Sequence, residues 1–269
     1  MFKAFYWMFE RKDVRNKFFK RNIYILIIAA IIALIFSLSC HLIFTNTYIF
    51  YGYLGLFVTF CFTLLLSYFV LGSFWELTAS VIERKTDIIS SDIYGGKVSL
   101  AEFITLPEIN ILKFIWRGFS SSIAMIIMEI PVVILFFSTI FLRRSECIYV
   151  VYAVQFLIWF LSLGLFWNYA NNNSIFSMLN IYVAGYLLEN HPFKYIWNSI
   201  LNIVNYALFY AVGIAIIVIF NISLKQDFNT YYDCIKFAGF EIVALVMWIY
   251  ILHVQAYLVG TLSPNNDYL

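Results

Sequence analysis

Six stretches of this 269-residue chain, 23–44, 52–80, 114–142, 147–168, 195–224 and 237–262, are apolar over at least the length a membrane demands. A helix crosses the hydrocarbon core with about 20 mainly apolar residues, because a backbone in lipid must satisfy its own hydrogen bonds. This pattern predicts an all-α membrane protein of six transmembrane helices, with 1–269 forming a single transmembrane domain. The second, third and fifth stretches exceed the minimum, so they should tilt or reach past the hydrocarbon. Composition agrees. Only 12% of the residues are charged and 63% are hydrophobic, whereas soluble proteins carry about 25% charge. The remaining polar surface is too small to cover a water-soluble globule of this size.

A cleaved signal peptide is the other way to read the first stretch. Its leading segment is long and carries Glu10 and Asp13. No small-x-small cleavage site stands out, and Ser37-Leu38-Ser39-Cys40 resembles a lipoprotein box only loosely. A retained first helix is therefore expected.

Lys and Arg set the orientation. Thirteen of the 17 lie on one side: seven before the first span, five between the second and third, and Lys194 between the fourth and fifth. Arg143, Arg144, Lys225 and Lys236 lie on the other. Positive charge stays inside. Both termini are thus expected in the cytoplasm and the protein in the cell (inner) membrane. The net charge of +2 is too small to suggest nucleic acid as a partner. The 21% aromatic content comes with abundant Ile, Asn and Lys and only 4 Pro, a pattern that base-composition bias also produces.

Short outer turns and longer inner segments pair the spans into three hairpins. Lys113-Phe114-Ile115-Trp116 opens the third span, Lys194-Tyr195-Ile196-Trp197 opens the fifth, and Lys17-Phe18-Phe19-Lys20 is a weaker echo. A repeated hairpin unit would give this. So would the rule that basic and aromatic side chains anchor a helix at the headgroups. Segment 1–21 reads as a basic amphipathic interfacial helix, with anionic lipid at the cytoplasmic face as its partner. In cytoplasmic segment 81–112, Ser99-x-x-Glu102 and Thr105-x-x-Glu108 are capping-box patterns. In cytoplasmic segment 171–192, the apolar run 175–188 is too short to span and should lie along the inner surface.

Few groups can carry chemistry. Gly55, Thr59, Thr63 and Ser67 recur at every fourth position of the second span, a small-residue stripe suited to helix packing. Ionisable side chains in lipid are costly and mark functional candidates. Glu129 lies within the third span, two residues before Pro131, which removes a backbone donor and favours a kink. Glu129, Gln155 and Glu241 are expected to share one polar cluster, and Asn168, His253, Gln255 and Glu76 another. Of the four cysteines, Cys40, Cys147 and Cys234 fall near the outer side, where two of them can pair in an oxidising compartment. No P-loop, HExxH motif or Gly-x-Ser-x-Gly elbow is present. Neither catalytic residues, a cofactor nor a metal site is expected.

Four stretches carry a family resemblance. They are Phe5-Tyr6-Trp7-Met8-Phe9 with Lys12-Asp13; Tyr68-Phe69-Val70-Leu71-Gly72 with Val81-Ile82-Glu83-Arg84; Leu106-Pro107-Glu108 before Arg117-Gly118; and His253-x-Gln255-Ala256-Tyr257-Leu258-Val259-Gly260. With these the chain resembles an uncharacterised family of prokaryotic multi-pass integral membrane proteins, grouped as a domain of unknown function. The resemblance implies an integral membrane protein and assigns no activity.

Two functions fit. One is a non-catalytic scaffold or subunit of a membrane complex or homo-oligomer. The other is a transporter or channel component for a small solute, ion or lipid. Intramembrane polar groups gathered at a cavity favour transport. Groups that each face a neighbouring helix singly favour a scaffold.

Overall fold

The computed structural model describes residue 5 and residues 12–92, 110–141, 148–219 and 230–262. Every regular element among them is a helix: α1 (Lys12–Phe44), α2 (Ile49–Asp92), α3 (Ile111–Phe141), α4 (Ile148–Asn172), the short α5 (Ile175–Met178) and α6 (Ile181–Asn190), α7 (Pro192–Ile219) and α8 (Tyr231–Gly260). Six are long and apolar enough to cross a membrane, over Asn22–Phe44, Ile49–Ile82, Ile111–Phe141, Ile148–Asn172, Pro192–Ala215 and Tyr232–Gly260. The chain is an all-α, multi-pass membrane protein. The capping-box patterns at 99–108, the segment before residue 12 apart from Phe5, and Cys147 lie outside the described residues.

Consecutive long helices run antiparallel as the pairs α1/α2, α3/α4 and α7/α8. The first pair closes through a tight turn, with Asn46 and Tyr48 in the left-handed region at φ 54° and 52°. There the Thr45 hydroxyl donates to the His41 carbonyl at 2.7 Å, which satisfies an end-of-helix acceptor. α8 starts on a capping box: the Thr230 hydroxyl accepts from the Asp233 amide, and the Asp233 carboxylate accepts from the Thr230 amide. α3 continues unbroken through Pro131.

One end of the bundle carries Lys113, Arg117 and Lys194 and is called the basic end below. Packing is dense there. Trp75, Phe114, Leu163, Tyr169 and Tyr195 are all fully enclosed. The closest approach joins α2 to α3. A Cβ on Gly72 would overlap the Phe114 carbonyl, and one on Gly118 would overlap the Tyr68 carbonyl. Each glycine thus seats the backbone of the facing helix, four residues from its partner site. Lipid gives helices no hydrophobic reason to associate, so backbone contact of this kind is what holds them. α8 is the central helix, packed on α1, α2, α4 and α7, and its residues 251–256 and 258–260 are buried. Towards the far end Phe50, Phe57, Phe141, Tyr149 and Tyr152 are exposed, as lipid-facing residues should be.

Three expectations change. The run 175–188 is two helices, α5 and α6, separated by Asn180, whose side chain accepts from the Tyr182 amide at 3.2 Å. Nor does it rest only on the surface. Ala184 of α6 sits so close to Gly164 that a Cβ there would lie 2.6 Å from the Ala184 Cα. Gly164 is eight residues from the end of α4, about 12 Å along its axis at 1.5 Å per residue. Finally, the matched aromatics at the two helix entries are core plugs, since Phe114 and Tyr195 are buried. Trp116, 67% exposed, is the one placed as a headgroup anchor.

Candidate functional site

The intramembrane polar groups distribute over several places. At the basic end, Glu76 of α2 accepts from Arg117 at 2.5 Å and from Lys113 at 2.6 Å. Arg117 is buried and also donates to the Ala170 carbonyl of α4 at 2.8 Å. The Tyr169 hydroxyl returns a hydrogen bond to the Arg117 carbonyl at 2.9 Å. Three helices are thereby tied by one guanidinium. The fork shape of Arg allows this; an ammonium has no fixed geometry to serve a carboxylate and a carbonyl at once.

The expected cluster of Asn168, His253, Gln255 and Glu76 does not gather. Asn168 donates to the Ser177 carbonyl at 2.7 Å and holds the α4–α5 turn. The His253 Nδ1 lies 2.7 Å from the Ile249 carbonyl in its own helix. The Gln255 side chain accepts from the Tyr206 hydroxyl at 3.2 Å. Each of these contacts is to a group nearby in the same or a neighbouring helix, as side-chain bonds to i−4 carbonyls are. His253 also borders, with Asn22 and Ser73, a pocket of about 10 Å³, the size of one water.

The expected trio of Glu129, Gln155 and Glu241 divides. Gln155 of α4 donates to Glu129 of α3 at 3.2 Å. Glu241 lies in a separate crevice of about 370 Å³ between α1, α2, α7 and α8, with Thr63, Ser67, Phe209 and Trp248. The small-residue stripe divides at the same place. Gly55 abuts the Ser39 side chain of α1 and Thr59 is buried, whereas Thr63 is exposed in the crevice and Ser67 is half-buried there.

Glu129 belongs to the larger space. A cavity of about 490 Å³ opens between α3, α4 and α7, within the range of small-molecule sites. Its walls are mainly apolar and aromatic: Met125 and Met128 from α3, Phe160 and Phe166 from α4, Ile203 and Tyr210 from α7. Its polar groups are Glu129, Ser162, Ser199, Asn202 and Tyr206. Ser199 and Asn202 are 4% and 5% exposed, and the Ser199 hydroxyl and the Asn202 carbonyl oxygen are buried without a hydrogen-bond partner. Both oxygens are occluded behind the cavity surface, so Glu129 is the charged group that the space itself meets. Among the described residues, no three His, Cys, Asp or Glu gather as a metal site, and Cys40, Cys61 and Cys234 are free thiols.

The α7 wall was missed in the sequence. Asn198, Asn202 and Asn205 follow helical spacing and give α7 two working faces. On one, Asn198 donates to the Leu258 carbonyl at 2.8 Å and Asn205 to the Ile251 carbonyl at 3.1 Å, clamping α8 two turns apart. On the other, Tyr195, Ser199, Asn202 and Tyr206 share a stripe. The Tyr195 hydroxyl donates to the Phe160 carbonyl at 2.9 Å and ties α7 to α4. The signal was the i, i+4, i+7 asparagines, and attributing the abundance of Asn to base composition hid it.

No protein-family model, no curated protein and no solved structure matches the chain.

Proposed function

We propose that this protein binds a small, largely apolar molecule within the membrane, as a transporter or channel component. The supporting observation is the cavity that brings Glu129, Ser199 and Asn202 to one apolar space between α3, α4 and α7. Intramembrane carboxylates and unsatisfied amides are expensive in a helix that only packs. Native mass spectrometry from membranes tests this. Wild type should retain a small molecule that Ala207→Phe, which fills the cavity from α7, does not. Equal retention by both, or none by either, would remove the cavity from function.

One observation favours the scaffold or subunit alternative. Thr63 and Ser67 continue the packing stripe into a crevice that stays open among the described residues, and a partner helix or a second copy would close it. Thr63→Phe should then dissolve an oligomer or complex seen in mild detergent. A wild type that is monomeric and alone under those conditions rules this alternative out.

By the positive-inside rule the basic end, with both termini, faces the cytoplasm of a cell (inner) membrane of prokaryotic type, in contact with anionic lipid. Labelling of a cysteine introduced at position 97 from outside intact cells would reverse this placement.

A further inference from the structure

We infer that the cavity between α3, α4 and α7 selects an organic cation: a molecule with an apolar body and one positively charged group. This rests on the binding function proposed above and adds the chemical class of the ligand.

The first argument is charge. Glu129 is the one acidic side chain lining the cavity. The ion pairs found among the described residues involve Glu76, not Glu129. Its hydrogen-bond partner is the neutral amide of Gln155, at 3.2 Å. A carboxylate in a low-dielectric space without a cation gains far more from a positive ligand than it would in water. The amide positions the carboxyl group and supplies no positive charge.

The second argument is the wall. Trp159, Phe166, Tyr206 and Tyr210 line the same space. Aromatic faces attract ammonium groups, and most strongly where water is excluded. An anionic ligand would meet Glu129 with no opposing Lys, Arg or His in the lining. A neutral ligand would leave the carboxylate unanswered.

Equilibrium dialysis of the purified protein tests this with two probes of one shape and opposite charge, tetraphenylphosphonium and tetraphenylborate. A third probe, benzylamine, carries N–H donors. Wild type should bind tetraphenylphosphonium saturably and tetraphenylborate not at all, and benzylamine should compete with the cation. Glu129→Gln should weaken the cation at least tenfold, while Glu129→Asp retains part of the binding. Glu241→Gln, in the other crevice, should change it less than twofold. Unaltered melting in detergent separates loss of charge from loss of fold. Equal binding of both ions would overturn cation selection. So would no saturable binding of either probe by wild type. In both cases the cavity function is judged separately, by whether Ala207→Phe still loses its co-purifying molecule.

Discussion

Glu76→Gln should destabilise the protein by about 3 kcal/mol, the lower part of the range for breaking a buried ion pair. Arg117 is only 5% exposed, so it keeps its charge in the interior when Glu76 is neutralised. The carbonyl of Ala170, at 2.8 Å, remains as an acceptor and limits the loss. Lys113 meets the same carboxylate at 2.6 Å, but its side chain is 52% exposed. Removing a half-exposed partner costs about 0–1 kcal/mol, because water replaces it. Lys113→Met should therefore cost at least about 2 kcal/mol less than Glu76→Gln, although the two distances are nearly equal. At about 1.4 kcal/mol per tenfold, that separates the unfolding constants about thirtyfold. Equilibrium unfolding in mixed micelles, with SDS as denaturant and tryptophan emission as readout, measures the difference. Trp75 reports on this region, since its ring packs 4.8 Å from that of Tyr169, which bonds to Arg117. Replacing both charges, Glu76→Leu with Arg117→Leu, should recover part of the loss by removing the stranded guanidinium. If Glu76→Gln and Lys113→Met fall within about 0.5 kcal/mol of each other, burial does not set the strength of this pair and the reasoning is wrong.

Other substitutions probe the packing. Gly72→Ala and Gly118→Ala put a methyl against facing backbone, which cannot rotate away, so each should destabilise by about 1–3 kcal/mol in the same assay. Gly213→Ala and Gly239→Ala meet open space and should be neutral or slightly stabilising, by up to about 1 kcal/mol. Asn205→Leu removes a bond to the Ile251 carbonyl and should cost about 0.6 kcal/mol, the usual size of a hydrogen bond between membrane helices; disulfide cross-linking between α7 and α8 should become less efficient as the clamp is lost.

The six spans could be read from the sequence because the bilayer imposes one rule on every residue that crosses it. Span ends matched to within a few residues at Phe44, where polar Thr45-Asn46-Thr47 follows, and at Pro192. Contacts between spans were much less legible. Gly72 and Gly118 were visible as glycines, but nothing local says that they meet antiparallel. Glu76 was grouped with Asn168, His253 and Gln255 by depth, whereas its partner Arg117 is 41 positions away. The separation of Glu241 from Glu129 depends on which face of α8 turns inward. The hydrophobic pattern does not mark that face, because α8 is apolar all round and central to the bundle. The two-helix break at Asn180 needed the capping chemistry of one side chain, which a run of apolar residues on either side obscures.

The cavity bears on how selectivity arises. The cavity of about 490 Å³ and the crevice of about 370 Å³ are open at the side, and in water both would fill with solvent. In a bilayer, acyl chains enter such openings from the side, and lipid tails are as apolar as leucine. A ligand of this cavity must displace those chains, so its apolar contacts give little net advantage. Discrimination falls to the group an acyl chain cannot satisfy, Glu129. Two volume-conserving changes on adjacent lining residues separate these contributions. Met128→Leu exchanges one apolar wall for another and should alter tetraphenylphosphonium binding less than twofold. Glu129→Gln keeps the shape, removes the charge and should weaken it at least tenfold. Comparable losses from both would mean that shape, not the carboxylate, selects what the cavity holds.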